Sequence, residues 1–169
     1  YDWNINHVQL NLIDSHDTAR ALYIMDNDQN ALELSILHQM TMPGAPCIYY
    51  GTELGLNGGR DPLCREGFPW EEVKADKSGL IAYIQKATEL RHSHPVLRTG
   101  DFKIIHAEGN VLAYQRQLGQ DIALVVYNIG EDTEAATIPV DNANAVVFNS
   151  VWGNELSEVV EDGKLSLSI

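Results

Sequence analysis

The order of apolar runs in the first half of the chain constrains its fold most strongly. A short β-type run, VQLNLI at residues 8–13, precedes a helical pattern within residues 27–44, and a second apolar run, PCIYYG, follows at residues 46–51. In the helical pattern, apolar residues recur three or four positions apart from Leu32 until a Pro-Gly pair ends the run. This strand–helix–strand order predicts a βαβ unit with two neighbouring parallel strands.

The segment after the second strand has two parts. Residues 55–77 contain glycines and prolines that prevent a regular element. At 23 residues this connection is long, and long ordered loops are commonly functional. A second long helix is predicted from Ser78, a suitable capping residue, to about His94, because Pro95 stops it. A short helical piece is also predicted at residues 22–25.

The pattern changes after residue 97. Short β-type runs follow one another, separated by turn signals such as Gly109-Asn110 and Asp162-Gly163. The runs cover residues 101–106, 111–117, 122–128, 135–140, 145–150, 156–160 and 164–168. They predict an antiparallel all-β unit, either a sandwich or an open barrel. The chain is therefore expected to form two domains, an α/β part at residues 1–97 and an all-β part at residues 98–169.

Composition excludes several classes of partner. The 169 residues carry a formal net charge of −13, which argues against binding to nucleic acid or to another phosphate surface. No apolar run approaches the roughly 18 residues that a membrane span requires. Two cysteines with no C-x-x-C pair form neither a disulfide framework nor a zinc motif, and the N-terminus does not resemble a signal peptide. These features favour a reduced, cytoplasmic protein without a metal or cofactor.

Polar residues follow both predicted parallel strands directly. His16 and Asp17 come after the first strand, and the long loop after the second carries Arg60, Asp61, Arg65 and Trp70. Because the carboxyl ends of parallel strands open onto one rim, these side chains are expected to meet there. Carboxylates, guanidinium groups, a histidine and an aromatic ring suit a polyhydroxylated ligand.

Asp17 also has a structural interpretation. Aspartate is a good helix N-cap, and Asp17 could pair with Arg20 across one helical turn. From the octapeptide IDSHDTAR alone, capping and ligand binding are about equally supported, and both interpretations stay open at this point.

Three blocks of the sequence resemble the α-amylase family, glycoside hydrolase family 13. NLIDSHDTAR is similar to the family's last conserved segment, at the end of the seventh strand of a (β/α)₈ barrel. GAPCIYYGTELGL resembles the eighth strand, and GGRDPLCREGFPW resembles the following loop in neopullulanases, cyclomaltodextrinases and maltogenic amylases. The resemblance implies the C-terminal part of a TIM barrel, about strands 7 and 8 with their helices, followed by the antiparallel β-sandwich of domain C.

The resemblance also implies roles for individual residues. Asp17 matches the family's third carboxylate, which stabilises the transition state by binding two hydroxyls of the sugar being cleaved. His16 matches the histidine that binds the same hydroxyls. Asp61 and Arg65 match a pair that contacts sugars further towards the non-reducing end. Arg20 is interpreted as structural, and Cys47, Tyr49 and Tyr50 as buried barrel residues. Trp70 either stacks on sugar or closes the loop.

The same resemblance implies that the nucleophile and the acid of a retaining glycosidase come from strands that these residues do not include. The chain is therefore expected to be part of a larger α-glucan hydrolase, inactive alone, with maltodextrin or cyclodextrin substrates and a tendency to self-associate. Two alternatives remain: a non-catalytic glucan-binding or structural remnant, and a related transglycosidase, isomerase or α-1,6-glucosidase on the same scaffold.

Overall fold

A computed structural model describes residues 2–141 and 146–169 and divides the chain into two compact units. The first unit extends to Arg98 and the second comprises Thr99–Ile169. This division lies one residue from the boundary that the sequence pattern predicts. In the described ranges, no helix is long and apolar enough to cross a membrane.

The first unit is mainly helical. Its helices are α1 (Trp3–Val8), α2 (Ala21–Ile24), α3 (Gln29–Thr41), α4 (Leu80–Ser93) and α5 (Pro95–Thr99), the last ending at the unit boundary. Two short strands, β1 (Leu10–Asn11) and β2 (Ala45–Pro46), pair in parallel. Single turns of 3₁₀ helix at Leu63–Arg65 and Trp70–Glu72 interrupt the long loop at residues 55–77, for which the sequence predicts no regular element, and a third such turn, Thr52–Leu54, precedes it.

The two strands are parallel, as predicted, but the predicted lengths are wrong. The run at residues 8–13 loses its beginning to α1, because the Asp2 carboxylate caps that helix by accepting the Asn4 N–H at 2.9 Å. Only Leu10 and Asn11 then pair, opposite Ala45 and Pro46. The N–H groups of Ala45 and Cys47 donate to the carbonyls of Gln9 and Asn11 at 2.8 and 2.9 Å, and within the described residues each strand has only the other as a neighbour. The ladder therefore does not extend along the PCIYYG run.

Two longer helices form the core of the first unit. α3 begins where the Asp28 carboxylate accepts the Ala31 N–H at 3.1 Å, and it ends just before Pro43. α4 begins at Leu80, where the Ser78 hydroxyl, the predicted cap, accepts the Leu80 N–H at 3.3 Å, and the Asp76 carboxylate accepts the N–H groups of Ile81 and Ala82 at 3.2 Å. The buried side chains of this core are Ala21, Leu32, Ile36 and Leu80.

The second unit is antiparallel throughout. A three-stranded sheet joins β3 (Asp101–Glu108), β4 (Val111–Leu118) and β5 (Asp121–Asn128), with β4 in the centre. β6 (Ala135–Pro139) pairs with β9 (Lys164–Ser168), and β7 (Val147–Asn149) pairs with β8 (Ser157–Val159). Each predicted β-type run thus contains a strand; the first residue of the run at 145–150, Ala145, lies outside the described residues.

The strands of the second unit enclose a shared core. Side chains of β4 and β6 form one buried cluster, which includes Ala113 and Ile138. A second cluster combines Val160 and Leu165 with partly buried residues of β5 and β7. Burial alternates along β6 and β9, as expected for antiparallel strands with one solvated face, whereas β4 is buried on both faces from Ala113 to Arg116.

Candidate functional site

His16 and Asp17 lie side by side on the loop between β1 and α2. The His16 Nε2 and an Asp17 carboxylate oxygen are 3.2 Å apart, and both side chains are exposed. Local hydrogen bonds shape this loop: Ser15 Oγ accepts the Asp17 N–H at 3.2 Å, and Thr18 Oγ1 accepts the Ser15 N–H at 3.0 Å. The loop thus presents an imidazole and a carboxylate to solvent together.

Arg65 joins this loop to the long loop after β2. Its Nε donates to the His16 carbonyl at 3.0 Å and lies 3.1 Å from the Asp61 carboxylate. Its Nη2 lies 3.5 Å from the Asp17 carboxylate. The structure therefore brings together the four residues to which the family resemblance gives catalytic or sugar-binding roles. We call His16, Asp17, Asp61 and Arg65 the carboxylate cluster.

The carboxylate cluster is suited to binding rather than to holding the fold together. Its ion pairs are exposed, and such pairs typically contribute about 0–1 kcal/mol each. Two carboxylates, one guanidinium group and one imidazole offer both acceptors and donors, which is what neighbouring hydroxyl groups require. Among the described residues, no three His, Cys, Asp or Glu side chains are placed to hold a metal ion.

Asp14, rather than Asp17, anchors the first end of the loop. Asp14 is only 4% exposed, and its carboxylate accepts the N–H of Ala21, the first residue of α2, at 3.1 Å. The same carboxylate accepts the Thr52 hydroxyl at 3.0 Å, which ties the loop to the residues after β2. The capping interpretation of Asp17 is therefore wrong, because α2 begins four residues later and Asp14 accepts its first N–H.

Arg20 anchors the other end of the loop and does not pair with Asp17. Its side chain is 1% exposed, and its guanidinium carbon lies 4.1 Å from the centre of the Tyr49 ring and 4.8 Å from that of Tyr50. The guanidinium group donates to the Tyr50 carbonyl, and the Arg20 main-chain N–H donates to Gly58 at 2.9 Å. Burial and a hydrogen bond to Tyr50 raise the pKa of Tyr49, so that ring is a neutral phenol beneath the cation.

Cys64 contacts the middle of the loop that carries His16 and Asp17. Although the sequence places it in a polar loop, Cys64 is fully buried, and its Sγ donates to the His16 carbonyl at 3.2 Å. The His16 carbonyl thus accepts from both Cys64 and Arg65. Three separate contacts, at Asp14, His16 and Arg20, fix the segment that carries Asp17.

Comparisons with known proteins show which family this chain is similar to. The model of the alpha-amylase catalytic domain matches residues 2–79. A cyclomaltodextrinase from Bacillus sp. is 48% identical over 130 residues, which cover 76% of this chain and 23% of that enzyme. Neopullulanase 2 of Thermoactinomyces vulgaris is 33% identical over 162 residues, covering 94% of this chain and 27% of that enzyme. A solved cyclomaltodextrinase structure superposes with a TM-score of 0.83 at 41% identity, covering 96% of this chain and 28% of that one.

This chain belongs to the α-amylase family. It spans about a quarter of the length of the curated relatives that it matches. The similarity to the solved structure extends over both compact units, since it covers nearly the whole chain.

The remaining candidate residues of this α-amylase-family chain have mixed outcomes. Cys47 and Tyr49 are half-buried and Tyr50 is exposed, so the prediction that all three are buried is wrong for this chain. The reason is the short β1–β2 ladder, which has no further strand beside it in the described residues. Trp70 is exposed and contacts Phe68 edge-on, with ring centres 4.6 Å apart. Arg60 is exposed outside the carboxylate cluster.

Asp14 and Cys64 are the residues that sequence reasoning missed. One available signal was the position of Asp14, which directly ends an apolar run and is therefore placed to be buried. A buried carboxylate requires donors, and the nearest are the first N–H groups of the next helix. The signal for Cys64 was weaker, because the burial of a thiol in a polar loop depends on how the loop folds back.

Proposed function

We propose that this chain supplies part of the active site of a retaining α-glucan hydrolase of the cyclomaltodextrinase and neopullulanase group. The observation that carries the proposal is the convergence on Arg65, which contacts Asp17, Asp61 and the His16 carbonyl at once. Residues from two separate loops thereby form one exposed polar surface next to the ends of β1 and β2.

In this proposal Asp17 is the transition-state-stabilising carboxylate. It accepts hydrogen bonds from two hydroxyls of the sugar being cleaved, and His16 binds the same sugar. As positive charge builds on the sugar ring in the oxocarbenium-like transition state, a nearby carboxylate stabilises it more than it stabilises the bound substrate. The anchored loop suits this role, because Asp14, Arg20 and Cys64 hold Asp17 in place before a ligand arrives.

The other components of the reaction lie outside these residues. Retaining glycosidases use two carboxyl groups about 5 Å apart, one as nucleophile and one as acid and base. We assign neither role to a residue of this chain. β1 and β2 are proposed to be the seventh and eighth strands of the catalytic barrel, and the second unit is proposed to be domain C.

Substrates are proposed from the names of the relatives. A cyclomaltodextrinase and a neopullulanase point to cyclodextrins, maltodextrins and pullulan, and hence to α-1,4 and some α-1,6 bonds. Asp61 and Arg65 are proposed to contact a sugar remote from the cleaved bond. Both cysteines are free thiols, which is consistent with a cytoplasmic location.

The decisive experiment replaces Asp17 with Asn in the complete enzyme that carries these residues. Asn keeps the size of the side chain but loses the charge and one acceptor. We expect kcat on maltotriose or a cyclodextrin to fall by about 10²–10³ or more, with an unchanged melting temperature. Asp121→Asn, at an exposed position in the second unit, serves as the matched control. A variant that keeps more than about a tenth of the original kcat would refute the catalytic role of Asp17.

A second experiment tests the 169-residue chain alone. Because it lacks a nucleophile and an acid, we expect no turnover of a nitrophenyl maltoside, soluble starch or a cyclodextrin. The control is a variant in which Asp17 and Glu53, a carboxylate that follows β2, are both replaced. Activity above that control would show that the chain holds a complete site, contrary to our proposal.

A further inference from the structure

A surface groove lies beside the carboxylate cluster and shares one turn of chain with it. In the 3₁₀ turn Leu63–Arg65, Arg65 belongs to the cluster, Cys64 is buried, and Leu63 lines the groove. The groove has a volume of about 560 Å³, and its other lining residues include Tyr23, Asn57 and Glu66. This volume is sufficient for one or two sugar rings.

The floor of the groove is bare main chain. A Cβ atom on Gly58 would lie 2.1 Å from the Leu63 carbonyl oxygen, so no side chain fits at that position. A Cβ atom on Gly59 would lie 3.5 Å from Cζ of Tyr23 and would occupy the space beside the ring. The Gly58 carbonyl accepts the Arg20 main-chain N–H at 2.9 Å, so the floor is fixed by the same residue that anchors the Asp17 loop.

The walls combine apolar surface with polar ends. Tyr23 is 55% exposed and Leu63 is 65% exposed, although both are large and apolar. The Asn57 amide nitrogen donates to Asn27, which orients the Asn57 amide oxygen, and the Glu66 carboxylate is exposed. A ring beside acceptors suits a sugar, whose C–H face packs on the aromatic side chain while its hydroxyls donate to the oxygens.

We propose that this groove binds a glucosyl segment of an α-glucan, at a site separate from the carboxylate cluster. The choice of an α-glucan rests on the proposed function, whereas the choice of a neutral sugar rests on the groove itself. Its lining provides acceptor oxygens and a carboxylate but no cationic side chain, and the chain carries a net charge of −13, so an anionic ligand is disfavoured. Tyr23 is the central contact in this proposal.

The test is a titration of the ¹⁵N-labelled 169-residue chain with maltoheptaose, followed by amide chemical shifts. We expect shifts at Gly58, Gly59 and Glu66 that saturate with one affinity. Tyr23→Ala should weaken this affinity about tenfold, the loss expected when an aromatic contact worth about 1.4 kcal/mol is removed. Leu63→Ala, a milder change, should weaken it less.

Two variants separate the groove from its surroundings. Ile24→Ala removes an exposed apolar side chain next to Tyr23 that does not line the groove, so the groove shifts should remain unchanged. Arg65→Ala disrupts the carboxylate cluster and should also leave them unchanged. The spectral dispersion of each variant shows whether it is folded, and the Leu63 variant keeps the test valid if the Tyr23 variant unfolds.

Each other outcome overturns the proposal. Shifts confined to His16, Asp17 and Arg65 would leave the proposed function intact and refute the groove. Equal shifts with cellohexaose would refute its preference for α-glucans. Shifts at Tyr23 and Leu63 that depend on protein concentration alone would show that a second copy of the chain occupies the groove. The absence of shifts would refute glucan binding at the groove, while the kinetics of the Asp17→Asn variant would still test the proposed function.

Discussion

The two units differ in how completely their strands are paired. β4 has a neighbour on each side along its whole length, and its residues Ala113 and Tyr114 are fully buried. β1 has only β2 beside it in the described residues, over two residue pairs, and Leu10 on it is 68% exposed. Parallel strands are normally buried on both faces, whereas antiparallel sheets tolerate water on one face. The second unit therefore pairs its central strand on both sides within the chain, whereas the first unit leaves apolar strand surface uncovered at β1.

Hydrogen exchange should show this contrast most strongly. Amides in the centre of β4 are expected to exchange about 10²–10³ times more slowly than those of Ala45 and Cys47, which donate to the carbonyls of Gln9 and Asn11. This corresponds to a difference of about 3–4 kcal/mol in opening free energy. The chain should be measured at a concentration at which sedimentation shows a monomer, because exposed strand edges promote self-association.

The amide of Leu37 in α3 serves as an internal control. If α3 is protected while Ala45 is not, the weakness is local to the strand pair; if both exchange alike, the whole first unit opens as one body. Strong and equal protection of β1, β2 and β4 in a dilute monomer would contradict the comparison.

Two buried arginines provide a second contrast between the units. Arg91 of α4 donates to the carbonyls of Met40 at 2.7 Å and of Met42 and Leu97 at 3.0 Å, and also to that of Gly44. Its replacement by Met leaves these buried acceptors without a donor, and we expect a loss of about 3 kcal/mol in unfolding free energy. Burial lowers the pKa of Arg91, and the nearby Arg98 lowers it further, but an arginine stays charged at neutral pH.

The matched variant is Arg116→Met in β4, where the guanidinium group donates to the carbonyls of Gly100 and Asp101. Each substitution should lower the stability of its own unit alone. Urea unfolding followed by helical ellipticity reports on the first unit, because all helices in the described ranges end at or before Thr99. A loss of helical signal in the Arg116 variant that equals the loss in the Arg91 variant would show that the units unfold together.

Much of the second unit could be predicted from the sequence, whereas less of the first could be. Alternation and turn residues are local signals, so each run predicted at residues 101–168 contains a strand. The length of β1 and β2 depends on neighbouring strands, which no local pattern encodes. In the site, the strand order predicted that His16 and Asp17 lie on the same rim as Arg65, but the interpretation of Asp17 as a helix cap, which stood beside ligand binding, was wrong. Sequence shows that a cap is needed, but whether Asp14 or Asp17 provides it depends on which one is buried against α2.

The different burial of the two aspartates predicts different effects of their substitution on the unfolding free energy. Asp14→Asn should lower the unfolding free energy of the first unit by about 2 kcal/mol, because one carboxylate oxygen becomes an NH₂ group that faces the Ala21 N–H or the Thr52 hydroxyl. Asp17→Asn should change it by less than about 0.5 kcal/mol, since the exposed ion pairs of Asp17 contribute little. Equal losses in urea unfolding of the two variants would mean that Asp17 has a structural role that its contacts do not show.

The smallest expected effect is a pH dependence confined to the first unit. Burial of His38 in α3 lowers its pKa below the usual value of 6.5, because burial disfavours the charged imidazolium. The unfolded chain therefore binds more protons than the folded chain as the pH falls below about 6.5. Stability is fully present above that value, declines as the pH falls through it, and stops declining below the folded-state pKa. For one proton the slope cannot exceed about 1.4 kcal/mol per pH unit.

Urea unfolding followed by helical ellipticity should show this dependence. The urea concentration at the midpoint is expected to decrease as the pH is lowered from about 8 to about 5. His38→Gln should reduce the slope, whereas the control His92→Gln, at an exposed position of α4, should not. A slope that is unchanged in the His38 variant would assign the pH dependence to other groups.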